Sequence, residues 1–171
     1  MIVLMAGLPG TGKTTLAREL AARTSGRVVS KDDIRHAIFS ADKIEYSSRQ
    51  DDFCVQMMLE TAAYLLRQEA ARCVFLDGRP FSRRYQIENV LAAAASLHQP
   101  WRILECVCSE ETARRRLEEH AVAGTHPEGN RDFRLYLEVQ ARFEVISVSK
   151  TMIRTDQPLE DCVAQALAAL R

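Results

Sequence analysis

The residues best placed to do chemistry stand near the start of the chain: Gly7-Leu8-Pro9-Gly10-Thr11-Gly12-Lys13-Thr14-Thr15. The spacing is Gly-x-x-x-x-Gly-Lys-Thr, and each residue type has a physical use. Gly7, Gly10 and Gly12 lack a Cβ, so the backbone can turn sharply and approach an anion closely. Its N–H groups then converge into a nest for phosphate oxygens. Lys13 supplies a mobile cation for β- and γ-phosphates, and the Thr14 hydroxyl is a ligand for Mg²⁺. Such a loop needs a strand before it and a helix after it, because the helix N-terminus adds positive potential. Both are written in the chain. Ile2–Ala6 is a short apolar run that ends at glycine, and Leu16, Ala17, Leu20 and Ala21 recur at helical spacing.

Two carboxylates extend this reading. Ser30-Lys31-Asp32-Asp33 follows a short strand pattern, Arg27–Ser30, and reads as a capping box, with Ile34, Ala37 and Ile38 on one helical face. Asp32 and Arg35 therefore open a helix that leaves the C-terminal end of a strand, where open α/β sheets hold their ligands. An Asp in that place can accept the proton of a hydroxyl during phosphoryl transfer. Arg35, one turn on, lies on the same side and can hold an anionic or polar acceptor through two hydrogen bonds. Cys73–Asp77 is an apolar run ending in a carboxylate, the Walker-B pattern, which serves Mg²⁺ directly or through water. The chain has no Asn-Lys-x-Asp to read guanine, which argues against a GTPase. Gly78 follows Asp77 where an AAA-type motor usually carries Glu, and such a motor needs more chain for a second subdomain.

The elements that must position these groups follow in order. A polar connection spans 40–47, and Ser47 or Ser48 opens a long helix to about Arg72, with Phe53, Met57, Ala62, Leu65 and Leu66 as its buried stripe. After the turn Gly78–Phe81, Ser82 caps a helix that buries Ile87, Val90, Leu91, Ala94 and Leu97. Trp101–Cys108 is a fourth strand, and Ser109-Glu110-Glu111 opens a helix with acids in its first turn. That helix carries Arg114, Arg115 and Arg116, which span most of a turn and cannot all face one ligand. Residues 121–131 hold Gly124, Pro127 and Gly129 and read as a flap. A helix is expected from about Asp132 to Val145, a fifth strand at Thr151–Ile153, and a last helix at Leu159–Leu170 after Pro158. Strands separated by helices imply parallel pairing in a doubly wound α/β sheet.

Bulk properties bound the answer. With 171 residues, the expectation is a single domain, 1–171, with one sizeable core. Lys plus Arg and Asp plus Glu both number 23, so no net positive charge points to bulk nucleic-acid binding. Hydrophobic residues are 47% and charged residues 27%, ordinary for a soluble globular chain. Ile2–Ala6 is too short for a membrane span or signal peptide, and a cytoplasmic protein is expected. The five cysteines show neither CxxC nor zinc spacing and read as small buried hydrophobes.

Two segments carry a resemblance: Gly7–Glu19, reading GLPGTGKTTLARE, and Ser30–Ile38, reading SKDDIRHAI. They resemble the kinase domain of phage-type 5′-polynucleotide kinase. They are also similar to the small P-loop kinases around it: chloramphenicol phosphotransferase, gluconate kinase, zeta-toxin-like kinases and AAA_33-type proteins. The resemblance is close over residues 2–39 and looser over Val74–Tyr85, Val107–Arg116 and the last helix. It implies a P-loop NTPase three-layer α/β/α sandwich. The five-stranded parallel sheet would have the order 2-3-1-4-5, with a helical lid at about 114–134. It also implies an ATP- and Mg²⁺-dependent kinase that transfers the γ-phosphoryl group to a hydroxyl of a small molecule. Nucleic acid is the less favoured acceptor, and a non-catalytic ATP-binding switch is the other alternative. Carried over by position, Lys13, Asp32, Arg35 and Arg116 are catalytic, with Asp32 the general base. Asp32, Arg35, Asp77 and Arg84 bind the acceptor, and Thr14 and Asp77 hold the metal; Arg79 is particular to this chain and is expected to meet the acceptor as well. Arg116, Arg131 and Arg134 belong to the lid. A second lid arginine, one turn after Arg116, is replaced here by His120.

Overall fold

The computed structural model of the chain describes residues 1–68, 73–123 and 132–171. The strands are β1 (Ile2–Ala6), β2 (Arg27–Ser30), β3 (Val74–Asp77), β4 (Trp101–Val107) and β5 (Thr151–Arg154). They pair in parallel in the order β2-β3-β1-β4-β5, as the resemblance implied. The helices are α1 (Lys13–Arg23), α2 (Lys31–Ile38), α3 (Ser48–Gln68), α4 (Arg84–Ser96), α5 (Glu110–Ala123), α6 (Phe133–Ala141) and α7 (Leu159–Ala169).

β1 is buried along its whole length, which is why it reads as an unbroken apolar run rather than an alternating one. Its even residues, Ile2, Leu4 and Ala6, pack with Met58, Ala62 and Leu66 of α3 and Val90 and Ala94 of α4. Its odd residues, Val3 and Met5, pack with Leu16, Ala17 and Leu20 of α1 and Val163 and Ala166 of α7. Two cores back to back on one sheet make the three layers. A third, smaller cluster joins Ala113 and Leu117 of α5 to Tyr136 of α6, with Leu8 of the glycine loop against it.

Three local expectations change. The buried face of α3 is rotated by about one residue: Gln50, Cys54, Met58, Ala62 and Leu66 point inward, while Phe53 is 47% exposed. Phe53 instead meets Phe39 edge-on at 5.8 Å. The helix after β3 starts at Arg84, with Arg83 rather than Ser82 at its N-cap. Phe81 takes a left-handed φ of 53° and drives its ring into the core, which delays the helix start. The free N-terminal amides are met from afar: Glu144 Oε2 accepts from Arg84 N–H at 2.6 Å. Finally, α6 stops at Ala141 rather than Val145, because the segment beyond it lays Phe143 and Ile146 on the α3–α4 core.

Candidate functional site

The register of β2 on β3 sets Ser30 opposite Asp77, so both strands end at one level beside the glycine loop that follows β1. Gly7 has φ 132°, and a Cβ there would fall 2.3 Å from the Cys106 carbonyl oxygen, so only glycine lets the loop lie against the end of β4. Thr11 closes the loop by donating to the Leu8 carbonyl at 2.8 Å, and Lys13 Nζ donates to the same oxygen at 2.6 Å. Burial pushes the nearby Cys106 thiol up to about 12, which leaves it an uncharged hydrophobe.

Two cavities open on this loop and share the side chain of Lys13. The larger, about 490 Å³, runs from Gly10, Gly12, Thr14 and Thr15 past Arg116 and His120 to the turn at Thr155–Leu159. Arg116 donates to the Thr155 carbonyl at 2.7 Å and to Thr155 Oγ1 at 3.1 Å. Thr155 Oγ1 in turn donates to the Thr11 carbonyl at 3.0 Å, which links α5, the last turn and the loop in one chain of bonds. Asp156 ties the start of α5 to that turn, accepting from Ser109 N–H at 3.1 Å; hydrogen bonding from Thr112 and Ser109 holds its carboxyl below the usual range.

The smaller cavity, about 100 Å³, lies on the other side of Lys13. Pro9, Lys31, Arg35, Tyr46, Asp51, Gly78, Arg79, Pro80, Leu135, Val139 and Arg142 complete its wall. Gly78, at φ 94°, lets the chain after β3 pass the start of α2: a Cβ there would sit 3.0 Å from Lys31 N. Arg35 is fully buried and pairs with Asp51, which also takes Lys31 Nζ at 2.9 Å. The Tyr46 ring covers the Arg35 guanidinium at 5.3 Å. Arg79 Nη1 donates to Asp52 at 2.6 Å, and Tyr85 hydroxyl joins the same carboxylate at 3.2 Å.

The expected site residues divide accordingly. Gly10, Gly12, Lys13, Thr14, Thr15 and Arg116 line the larger cavity; Pro9, Arg35 and Arg79 line the smaller. Asp32 is 5% exposed and stands behind that wall, its Oδ1 3.2 Å from Lys31 Nζ. Asp77 is buried at the end of β3, and its Oδ1 has no hydrogen-bond partner among the described residues. An orphaned carboxylate oxygen near the Thr14 hydroxyl's loop is the donor chemistry that Mg²⁺ takes, with phosphate and water completing its shell. Two arginines are not brought to the cleft. Arg84 is exposed over a separate groove with Glu88 and Glu144, because α4 turns its side chain away from β3. Arg134 is exposed and pairs with Glu138 at 3.8 Å, on the face of α6 opposite Leu135 and Val139. Arg131 lies outside the described residues, as does the part of the expected lid at 124–131.

Sequence reasoning missed Lys31, Tyr46, Asp51 and Arg142 in the smaller cavity and Arg18 in the larger. The acidic pair Asp51-Asp52 near the start of a long helix was a visible signal. Its partners lie 16 to 27 positions away, and no local pattern reveals them.

Comparison with known proteins agrees with this architecture. The model of the AAA_33 family, described as an AAA domain, matches residues 2–145. Among solved structures, APS kinase CysC of Mycobacterium tuberculosis in complex with AMPPNP and APS superposes with a TM-score of 0.73 at 14% identity, covering 99% of this chain and 96% of that one. Kti12 of Chaetomium thermophilum in complex with ADP-AlF3 gives 0.69 at 15% identity, covering 100% of both chains. A gluconokinase from Sinorhizobium meliloti 1021 gives 0.64 at 16%, covering 98% and 90%. These likenesses establish a shared fold.

Proposed function

The chain belongs to the AAA_33 family, and from that premise we propose that it is an ATP-dependent kinase that phosphorylates a hydroxyl of a small molecule. One observation carries the reading: the two cavities meet at Lys13, so a nucleotide in the larger would present its terminal phosphate to whatever fills the smaller. Lys plus Arg and Asp plus Glu are equal, at 23 each, which favours a small acceptor over a polynucleotide. The APS kinase in complex with APS and the gluconokinase are small-molecule kinases, which supports the same class here.

The loop amides and Lys13 hold the β- and γ-phosphates and gather charge that spreads over the γ-phosphoryl oxygens as the bond to ADP loosens. Thr14 and Asp77 would hold Mg²⁺, which when bound neutralises phosphate charge. The acceptor oxygen bonds to the γ-phosphorus, the bond from that phosphorus to the β–γ bridging oxygen breaks, and ADP leaves. Asp32, behind Lys31, takes the acceptor's proton late in the transfer. Arg116 steadies the nucleotide side, and Arg35 and Arg79 shape the acceptor side. The test is transfer from labelled ATP to a panel of alcohols. Lys13→Ala and Asp32→Ala each abolish product, and Asp32→Ala leaves nucleotide affinity close to the unaltered protein's. Near-normal turnover by Asp32→Ala would overturn the base assignment.

A further inference from the structure

The smaller cavity is lined by one cation to which the transfer reaction gives no role. Five cations line it, Lys13, Lys31, Arg35, Arg79 and Arg142, against one acid, Asp51. Four of the five are already engaged: Lys13 on the Leu8 carbonyl, Lys31 and Arg35 on Asp51, Arg79 on Asp52. Arg142 differs. Its backbone N–H closes the end of α6, and its guanidinium makes no hydrogen bond or ion pair among the described residues. It follows Leu135 and Val139 on the face of α6 that forms the apolar part of the wall, so a guanidinium tops an otherwise greasy side. Such a group reads planar or tetrahedral anions through two parallel hydrogen bonds.

We propose that Arg142 is the specificity-determining residue of the acceptor site, and that the acceptor is an alcohol carrying a carboxylate, sulfate or phosphate group bound by Arg142. This rests on the kinase reading above. Lys13 and Arg142 line the same cavity, so an acceptor seated there can turn its hydroxyl to the loop and its anion to the end of α6. Arg142 is exposed and makes no side-chain pair among the described residues, so replacing it leaves the core intact.

The experiment pairs each charged alcohol with its neutral partner: glycerate with glycerol, gluconate with glucose, ribose 5-phosphate with ribose. Phosphoryl transfer is measured for the unaltered protein, Arg142→Gln and Arg142→Lys, and binding of the same six compounds is followed by calorimetry without ATP. Transfer is expected to the anionic members. Arg142→Gln should raise their KM about ten- to a hundredfold with kcat within about twofold, as for a lost charge-assisted hydrogen bond. The KM for ATP should not move, and Arg142→Lys should recover part of the loss. Equal kcat/KM for charged and neutral partners, or a KM indifferent to Arg142→Gln, overturns the inference while the kinase reading stands. No transfer to any member, with anion binding that Arg142→Gln weakens, sinks the kinase reading and keeps the anion site. Neither transfer nor anion binding overturns both.

Discussion

Asp51 offers the sharpest test of how the cleft is held. Its Oδ1 serves two cations at once, Lys31 Nζ at 2.9 Å and the guanidinium of Arg35, and Arg35 is completely buried. Replacing Asp51 by Ala leaves these charges in low dielectric without their shared partner, and stranding a buried charge costs about 3–5 kcal/mol. Three features reduce the figure: Lys31 keeps Asp32 at 3.2 Å, Asp51 is itself 24% exposed, and Arg35 keeps the face of Tyr46. A loss of about 2–3 kcal/mol is expected, which for a chain of this size lowers Tm by about 4–12 °C. The control is Glu119→Ala, which breaks the exposed 2.9 Å pair with Arg115. Exposed pairs of that kind contribute about 0–1 kcal/mol, a shift of a few degrees at most. Calorimetric or circular-dichroism melts of both variants decide the matter. Adding Arg35→Met to Asp51→Ala should recover part of the loss, since the stranded charge goes with it. If Asp51→Ala melts together with Glu119→Ala, the buried ion cluster does not support the cleft and the argument fails.

Three further outcomes follow from the same geometry. Gly7→Ala forces a Cβ to 2.3 Å from the Cys106 carbonyl at a φ of 132°, so nucleotide binding measured by calorimetry should be lost even where the protein still folds. Glu144 has its carboxyl held below its ordinary 4.5, first by the Arg84 backbone N–H and then by Arg83. A depressed pKa stabilises the fold above the unfolded value and loses that contribution as pH falls through the folded one, so Glu144→Gln should lower Tm slightly at neutral pH, converge with the unaltered protein in acid, and so flatten the Tm–pH curve below about pH 4.5. Cys54 and Cys106 are fully buried with thiols raised by desolvation, so alkylation at pH 8 should spare them in the folded protein and reach them only after unfolding; rapid labelling of either in native buffer would contradict the packing.

The parts legible in the sequence were those with local causes. The glycine loop, the strand before it, the Ser30 cap and the carboxylate closing β3 each depend on neighbours within a few positions, and each stands where the pattern put it. The parts that were not legible depend on distant partners. Ser82 lost the capping role because Glu144, some sixty positions on, reaches the amide of Arg84. The α3 stripe was misplaced by a residue because Phe53 is drawn outward onto Phe39 while Cys54 and Met58 fill the core. The small cavity was half seen: Arg35 and Arg79 were visible as candidates, but the acids that hold them sit on α3, where nothing nearby marks them. The described residues contain no helix long and apolar enough to cross a membrane.

The meeting of two cavities at one lysine has a consequence for how such proteins diversify. Apart from Lys13, and from the glycine loop that gives Pro9 to the smaller cavity and Gly10 and Gly12 to the larger, the walls are drawn from separate stretches: α1, α5, the last turn and α7 on one side, and α2, α3, the turn at 78–80 and α6 on the other. Substitutions in the second set can therefore accumulate without disturbing the first. Change on the smaller side can thus proceed while the larger keeps its form.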